Sequence, residues 1–173
     1  MLKKNLVFLD FSLDNCFFLI IKNKKNFKKN LKNISKTENI PIIFFEFIKK
    51  NKIEINNNFE IFVNIGPGNL IAIRNSIVLA KMIKIIFNCK LYAFSNFDLL
   101  SLKKNKAKVL ISTKTQKILM DLKRKMAKKI INDDLKIFQK FKINVKYSNK
   151  DIENLIYLKK FNKKIVPISC TTM

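Results

Sequence analysis

Apolar residues occur along this chain in short runs and in two longer stretches, separated by polar residues. The short runs predict β-strands over 6–11, 16–21, 24–31, 59–65 and 88–94. The longer stretches predict two helices. The first follows the candidate caps Thr37 and Asn39 and has Pro41 in its first turn, and the second follows Gly68. The third strand is rich in lysine, which is typical of a sheet edge.

Both glycines of the chain, Gly66 and Gly68, flank Pro67 between the fourth strand and the second helix. Glycine adopts positive φ angles without steric cost and allows another backbone or a phosphate to approach closely. Because the chain uses glycine nowhere else, we expect that both are required where they stand.

The second helix is apolar around most of its circumference. Ala72, Ser76 and Ala80 share one small-residue face, and Arg74, Lys81 and Lys84 form a narrow polar wedge. A broad apolar face contains Ile71, Val78, Leu79, Met82, Ile85 and Ile86. We therefore expect packing on two sides, against the sheet and, through the small residues, against a second helix. The alternative interpretation is a fully buried core helix.

Three segments resemble the TsaB (YeaZ) family. GPGNLIAIRNSIVLAK resembles that family's GPGSFTGLRIGxxxAKG signature, with Gly66, Pro67, Gly68, Arg74, Ala80 and Lys81 matching directly. LVFLDFSLDNCFFLII resembles its opening ILALDTSTEACSVALL, with Asp10, Ser12 and Cys16 in register, and LYAFSNFDLL resembles PxxGVSSLEAL. The resemblance covers roughly residues 6–100.

The resemblance implies a fold. It indicates an α/β protein of the actin-like ATPase and sugar-kinase superfamily, with a ribonuclease-H-like half of order βββαβαβ and a reduced second half. The expected division is an N-terminal domain over 1–104, which carries the partner-docking helices, and a reduced second subdomain over 105–173.

The resemblance also implies a function. The chain would be a non-catalytic subunit that dimerises with a TsaD-type ATP-dependent transferase and supports threonylcarbamoyladenosine formation next to the tRNA anticodon. A TsaE-type ATPase is expected in the complex, tRNA would be bound indirectly, and a homodimer is possible when the chain is alone. The implied partner-binding residues are Pro41, Phe45, Ile71, Ala72, Arg74, Asn75, Ser76, Leu79 and Ala80.

No cofactor of its own is implied, although ATP or ADP could bind at the partner interface. In the superfamily that the resemblance indicates, an Asp at the position of Asp10 faces phosphates and metal. Asp10, Ser12, Gly66 and Gly68 are therefore a possible phosphate-binding vestige. The alternative for Asp10 and Ser12 is a turn whose side chains bond to the local backbone.

The net charge of +24 favours a second function, a basic RNA-binding module without a catalytic partner. Against it, Arg74 and Arg124 are the only arginines, whereas a dedicated phosphate reader favours the guanidinium group. A small kinase of the same superfamily is a third possibility, disfavoured because no further glycine exists to build a second phosphate loop.

The absence of histidine excludes His-based metal sites and Ser-His-Asp or Cys-His catalysis, so neither a catalytic nor a metal site is predicted. The three scattered cysteines fit a reducing compartment. No uncharged apolar run is long enough to span a bilayer, and the protein is expected to be cytoplasmic.

The pattern is weaker beyond residue 105. It predicts a hairpin of strands 108–113 and 117–122, partial helix over 123–141, short strands over 143–147 and 165–168, and a helix over 151–160.

Overall fold

The computed structural model of the chain describes residues 5–14, 16–31, 39–101, 108–112, 117–130, 165, 167, 168 and 170–172. The predictions for 131–141, 143–147 and 151–160 lie outside these residues. Within the described part, no helix is both long and apolar enough to cross a membrane.

The first sheet has five strands in the order β3-β2-β1-β4-β5. They are β1 (Leu6–Asp10), β2 (Phe17–Lys22), β3 (Lys25–Asn30), β4 (Glu60–Asn64) and β5 (Lys90–Phe94). The first three pair antiparallel, whereas β4 lies parallel to both β1 and β5. The predicted α/β class and the βββαβαβ order are confirmed.

Burial explains the positions of the strands in this sheet. Every residue of β1 and β4 is buried, which is typical of central strands covered on both faces. The lysine-rich strand β3 is exposed along most of its length and forms one edge, as predicted. On one face Val7 and Leu9 pack in the main core, and on the other face Leu6 and Phe8 pack in a separate aromatic cluster.

Three helices accompany the sheet: α1 (Ile40–Lys50), α2 (Leu70–Phe87) and α3 (Asn96–Ser101). Pro41 lies in the first turn of α1, where its missing N–H costs nothing. The side chain of Asn69 caps α2 by accepting a bond from the N–H of Ala72 at 3.2 Å. The left-handed residue Asn88 ends α2.

The second sheet contains β6 (Lys108–Ser112), β7 (Lys117–Asp121), β8 (Met126–Ile130) and β9 (Thr171–Thr172), in that order. The predicted hairpin is confirmed, because β6 and β7 pair antiparallel. The predicted helix is wrong over 123–130, where a turn leads into β8. Residues 165, 167 and 168 are not in a strand; the strand near this end is β9. The domain division at residue 104 stays a prediction.

Residues near the C-terminal end connect the two sheets. The N–H of Ile168 donates to the carbonyl of Ile65 at 2.8 Å, directly after β4. The side chain of Ile168 packs against both the main core and the core of the second sheet. The parallel pairing of β9 with β8 continues this connection into the second sheet.

Candidate functional site

The carboxyl ends of β1 and β4 meet the start of α3 at one edge of the first sheet, and four polar side chains lie there. Asp10 ends β1, Asn64 ends β4, Asn96 begins α3, and Ser12 lies in the turn after β1. We call these four residues the strand-end cluster. None of them is more than 2% exposed, so their hydrogen bonds must be made within the protein.

The hydroxyl of Ser12 is at the centre of the cluster. It donates to Asp10 Oδ1 at 2.7 Å, and it accepts bonds from the side-chain amides of Asn64 and Asn96, both at 3.1 Å. The amide of Asn64 also donates to Asn96 Oδ1 at 2.8 Å. These shared bonds fix the orientation of all four side chains.

The Gly-Pro-Gly turn closes over this cluster. The N–H of Gly66 donates to Asn64 Oδ1 at 2.8 Å, and the amide of Asn96 donates to the carbonyl of Pro67 at 2.7 Å. Asn69 donates its backbone N–H to the carbonyl of Ser12 at 2.8 Å. The turn and the start of α2 are thus bonded to the turn after β1, to the end of β4 and to the start of α3.

The two glycines of this turn are required for different structural reasons. Gly66 has φ +97°, a conformation that L side chains rarely adopt, and it precedes a cis peptide bond to Pro67. Gly68 touches the backbone of Ser12 so closely that an added Cβ would collide with the Ser12 carbonyl. Both conformational requirements expected from the sequence are therefore present, one at each glycine.

The four residues of the possible phosphate vestige are brought together here, but their polar groups are engaged inside the protein. Asp10 Oδ1 accepts both the hydroxyl and the backbone N–H of Ser12, the latter at 2.9 Å, as a turn that bonds its local backbone would. Among the described residues, no group of three or more Cys, Asp or Glu side chains is placed to hold a metal ion. What the arrangement does chemically is anchor the start of α2 rigidly to the sheet.

The thiol of Cys16 lies next to this cluster and is also buried. It donates to the carbonyl of Leu13 at 2.9 Å. Burial, aided by the negative charges of Asp10 and Asp14, raises the pKa of Cys16 to about 12. The thiol therefore stays protonated in the folded protein at neutral pH and is a poor nucleophile.

Helix α2 buries one face and exposes the opposite one. Its buried residues are Ala72, Ile73, Ser76, Ile77, Leu79, Ala80 and Ile83. On the opposite side, Ile71 is 65% exposed, Val78 53% and Ile85 80%. These three residues repeat every seven positions, so they lie in line along the exposed side of the helix, and we call this apolar stripe the α2 seam.

The small-residue face of α2 corrects one premise of the sequence analysis. Ala72, Ser76, Leu79 and Ala80 are at most 4% exposed, so they pack inside the chain's own core and do not form a surface for another subunit. The hydroxyl of Ser76 bonds to the Ile73 carbonyl at 2.8 Å, within the helix. Their small size lets α2 approach its own sheet closely.

The other predicted partner-binding residues lie at or near the surface. Arg74 is exposed beside the α2 seam, as is Lys81 one heptad further on. Asn75, on the other flank, is half-buried, and its amide nitrogen has no hydrogen-bond partner among the described residues. In α1, Pro41 and Phe45 are half-buried, and the Phe45 ring lies 6.5 Å from that of Phe87 in α2.

Sequence reasoning missed two groups of residues. Asn64 and Asn96 complete the strand-end cluster, and the available signal was that each lies at the carboxyl end of a predicted parallel strand, where polar sites form. Ile73 and Ile83 are fully buried in the core. Periodicity did not identify them because apolar residues occur on nearly every side of α2.

No protein-family model matches the chain, and no curated protein matches its sequence. Solved structures do match. YeaZ from Pseudomonas aeruginosa superposes with a TM-score of 0.51 at 11% identity, covering 75% of this chain and 65% of that one. An uncharacterized protein described as similar to peptidase YeaZ from Pseudomonas aeruginosa gives a TM-score of 0.51 at 11% identity, with 75% and 64% coverage.

The chain thus spans slightly less than two thirds of the length of these two structures. At 11% identity the likeness concerns the fold alone. YeaZ is the other name of the family that the sequence motifs resemble, and the YeaZ-like fold of the chain agrees with the α/β fold that this resemblance implies.

Proposed function

We propose that this chain is a non-catalytic subunit that docks on a TsaD-type threonylcarbamoyl transferase through the α2 seam. In this role it supports threonylcarbamoyladenosine formation in tRNA, in the cytoplasm, with a TsaE-type ATPase as a further component. The sequence motifs and the YeaZ-like fold both favour this assignment.

One observation carries the proposal: large apolar side chains are concentrated on the outside of α2. Of the seven large hydrophobic residues that are exposed in the described part of the chain, five lie on α2 and one on α1. Exposed apolar side chains that are concentrated in one region of a surface favour a protein interaction site there. A heptad stripe on a helix is suited to packing against a helix of another protein.

The charge beside the α2 seam supports a specific partner chemistry. Arg74 and Lys81 follow the stripe on one flank, and no ion pair involves either of them within the described residues. A partner helix that places Asp or Glu along this flank would complement both charges. Apolar burial would then supply most of the affinity, and the charges would set the orientation.

The strand-end cluster fits a supporting role and not a catalytic one. Its side chains hold the turn before α2 and so present the α2 seam in one fixed orientation, which lowers the entropy cost of docking. If ATP or ADP binds in the complex, we expect it at the surface shared with the partner, because Asp10 and Ser12 bond to each other inside this chain.

The proposal is tested by co-expressing the chain with the TsaD-type protein of the same genome. Gel filtration should yield a complex of the two chains. With a TsaE-type ATPase added, that complex should modify tRNA, whereas the isolated chain should neither modify tRNA nor hydrolyse ATP. Separate elution of the two proteins would contradict docking, and turnover by the isolated chain would contradict the non-catalytic role.

Arg74 offers a sharper test within the same complex. Arg74→Ala should weaken partner affinity by about tenfold, the loss of one charge-assisted bond, and Arg74→Lys should recover part of it. The melting temperature of the isolated chain should stay nearly constant, because the Arg74 side chain is exposed and makes no bond to any residue in the described part of the chain. Isothermal titration and thermal melts separate the two effects. A lower melting temperature with unchanged affinity would make Arg74 a structural residue.

A further inference from the structure

A second surface feature lies on the other sheet, a basic groove with a volume of about 270 Å³. Six residues from β6, β7, β8 and the turn between β7 and β8 line it: Lys108, Leu119, Asp121, Arg124, Met126 and Lys128. Docking through the α2 seam makes no use of these residues. The groove therefore calls for an explanation of its own.

The strand register shows how charge and apolar surface alternate in the groove. Lys108 lies directly opposite Asp121 across β6 and β7, and Lys128 lies opposite Leu119 across β7 and β8. Opposite residues project on the same face, so cations from both outer strands flank the central strand. Between them, half-buried Leu119 and Met126, which is 47% exposed, provide an apolar floor.

The groove is strongly positive. Residues 117–130 contain six basic side chains and one acidic one, Asp121. The carboxylate of Asp121 accepts the backbone N–H of Arg124 at 2.9 Å, which shapes the turn. Lys125 approaches Asp98 at 4.0 Å, but in the described residues no ion pair involves Lys108, Arg124 or Lys128.

Protection of a sheet edge can account for Lys108, which lies on the edge strand β6, but not for Arg124 and Lys128. The densest lysine cluster of the described residues, on β2 and β3, includes an edge strand, where lysine discourages pairing. Lys128, in contrast, lies on β8, which pairs with β7 on one side and β9 on the other. Arg124 is one of only two arginines in the chain and offers the forked donor geometry that suits phosphate.

We infer that the basic groove binds single-stranded RNA. Lys108, Arg124 and Lys128 would contact phosphates, and a base or ribose would lie on Leu119 and Met126. At about 270 Å³ the groove is slightly smaller than the roughly 300–1,000 Å³ typical of ligand sites, which suits one nucleotide of a single strand at a time. Exposed Lys123 and Lys125 extend the charge beyond the groove, which favours a polyanion over a free nucleotide.

This inference goes beyond the proposed function, because it concerns a different sheet and is tested on the isolated chain, without the transferase. Two triple variants are compared, each removing three positive charges. One carries Lys108→Gln, Arg124→Gln and Lys128→Gln in the groove. The matched control carries Lys25→Gln, Lys28→Gln and Lys29→Gln on β3. Fluorescence anisotropy with a labelled oligouridine, over a series of salt concentrations, measures affinity.

The groove variant should bind the oligouridine about tenfold more weakly. The slope of its log K against log salt should be shallower by about two, because three phosphate contacts are lost and each contributes roughly 0.7 to the slope for a single strand. The β3 variant should change affinity by less than about twofold. Met126→Glu leaves every basic residue in place and should weaken binding as well. It replaces the triple groove variant in the test if that variant does not fold.

Three outcomes would overturn the inference. Equal losses in the two triple variants would mean that net charge alone attracts RNA. Unchanged binding in both the groove variant and Met126→Glu would mean that RNA lies elsewhere. If unlabelled uridine monophosphate competes as strongly as unlabelled oligouridine, the ligand of the groove is a free nucleotide and not RNA.

Discussion

The two glycines of the turn before α2 differ in what an added methyl group would meet. At Gly68 a Cβ would run into the Ser12 carbonyl, which is backbone held by the bond from Asn69. At Gly66 it would lie 2.8 Å from Ile73 Cδ1, the far end of a flexible side chain, at φ +97°. The obstacle at Gly68 is therefore the more rigid one.

Gly68→Ala should lower the free energy of unfolding by about 3 kcal/mol, since the turn must separate from the strand-end cluster. Gly66→Ala, the internal control, should cost about 2 kcal/mol, the cost of a left-handed alanine, because the Ile73 side chain can move. Urea unfolding of both variants measures the difference. A Gly68→Ala protein as stable as the parent would contradict the close contact.

Burial of Cys16 makes the stability of the folded protein depend on pH in the alkaline range. Its pKa rises from the ordinary 9.0 in the unfolded chain to about 12 in the folded protein, mainly through burial. The folded state therefore holds the proton more tightly, so this stabilisation is complete below pH 9 and is lost as the pH rises towards 12. The loss reaches at most about 1.4 kcal/mol per pH unit.

Cys16→Ala should remove this slope. The variant should be less stable at neutral pH, because the buried sulfur is lost, and its stability should then fall less steeply above pH 9 than that of the parent. All other residues are the same in the two proteins, so the difference between the two curves reports on Cys16 alone. Parallel curves from urea unfolding at several pH values would show that the Cys16 thiol is not shielded.

At the scale of the element, α2 is a core helix on one side and, in our proposal, a docking helix on the other. Ser76 lies in the middle of its buried side and is fully buried. Ser76→Phe should therefore unfold or strongly destabilise the chain itself, by about 3 kcal/mol, through overpacking. Ser76→Ala should be nearly neutral because only one bond within the helix is lost.

Thermal melts of the isolated chain distinguish this from a surface role. If the Ser76→Phe protein melts like the parent and loses only its binding to the partner, Ser76 lies at a subunit interface and not in the core. The same melt on the Ser76→Ala protein provides the control, since it removes the hydroxyl and adds no volume.

The predictability of each element followed the strength of its pattern. Strands β1 to β5 were predictable because short apolar runs are bounded by polar turns, and β3 was placed at the edge by its lysines. The orientation of α2 was not predictable from the sequence, because isoleucines occur on both its buried and its exposed sides. Strand β8 was missed because its lysine-rich sequence, MAKKI, gains its structure from pairing with β7.

The candidate site was only partly predictable for a related reason. The motif located Gly66, Gly68, Asp10 and Ser12, and the fold brought them together. The two asparagines that complete the strand-end cluster are 32 residues apart, and both bond to Ser12 across the sheet edge. Contacts that join distant parts of the chain leave no local pattern in a sequence.

At the scale of the whole molecule, the two surfaces that we propose for different partners lie on different elements. The α2 seam lies on the helix that follows the strand-end cluster, and the basic groove lies on the second sheet. Ile168 packs in both cores and joins the two parts. A substitution in one surface should therefore leave binding at the other unchanged, provided that the chain stays folded.

Isothermal titration of the TsaD-type protein with the parent chain, Val78→Glu and Met126→Glu shows whether the α2 seam is the docking surface. Both residues are exposed and apolar, at 53% and 47%, but Val78 is the centre of the α2 seam and Met126 lies in the basic groove. Val78→Glu should weaken the complex by about thirtyfold or more, the loss expected for a central anchor, while Met126→Glu changes affinity by less than about threefold. Equal affinities for the parent and Val78→Glu would contradict docking through α2.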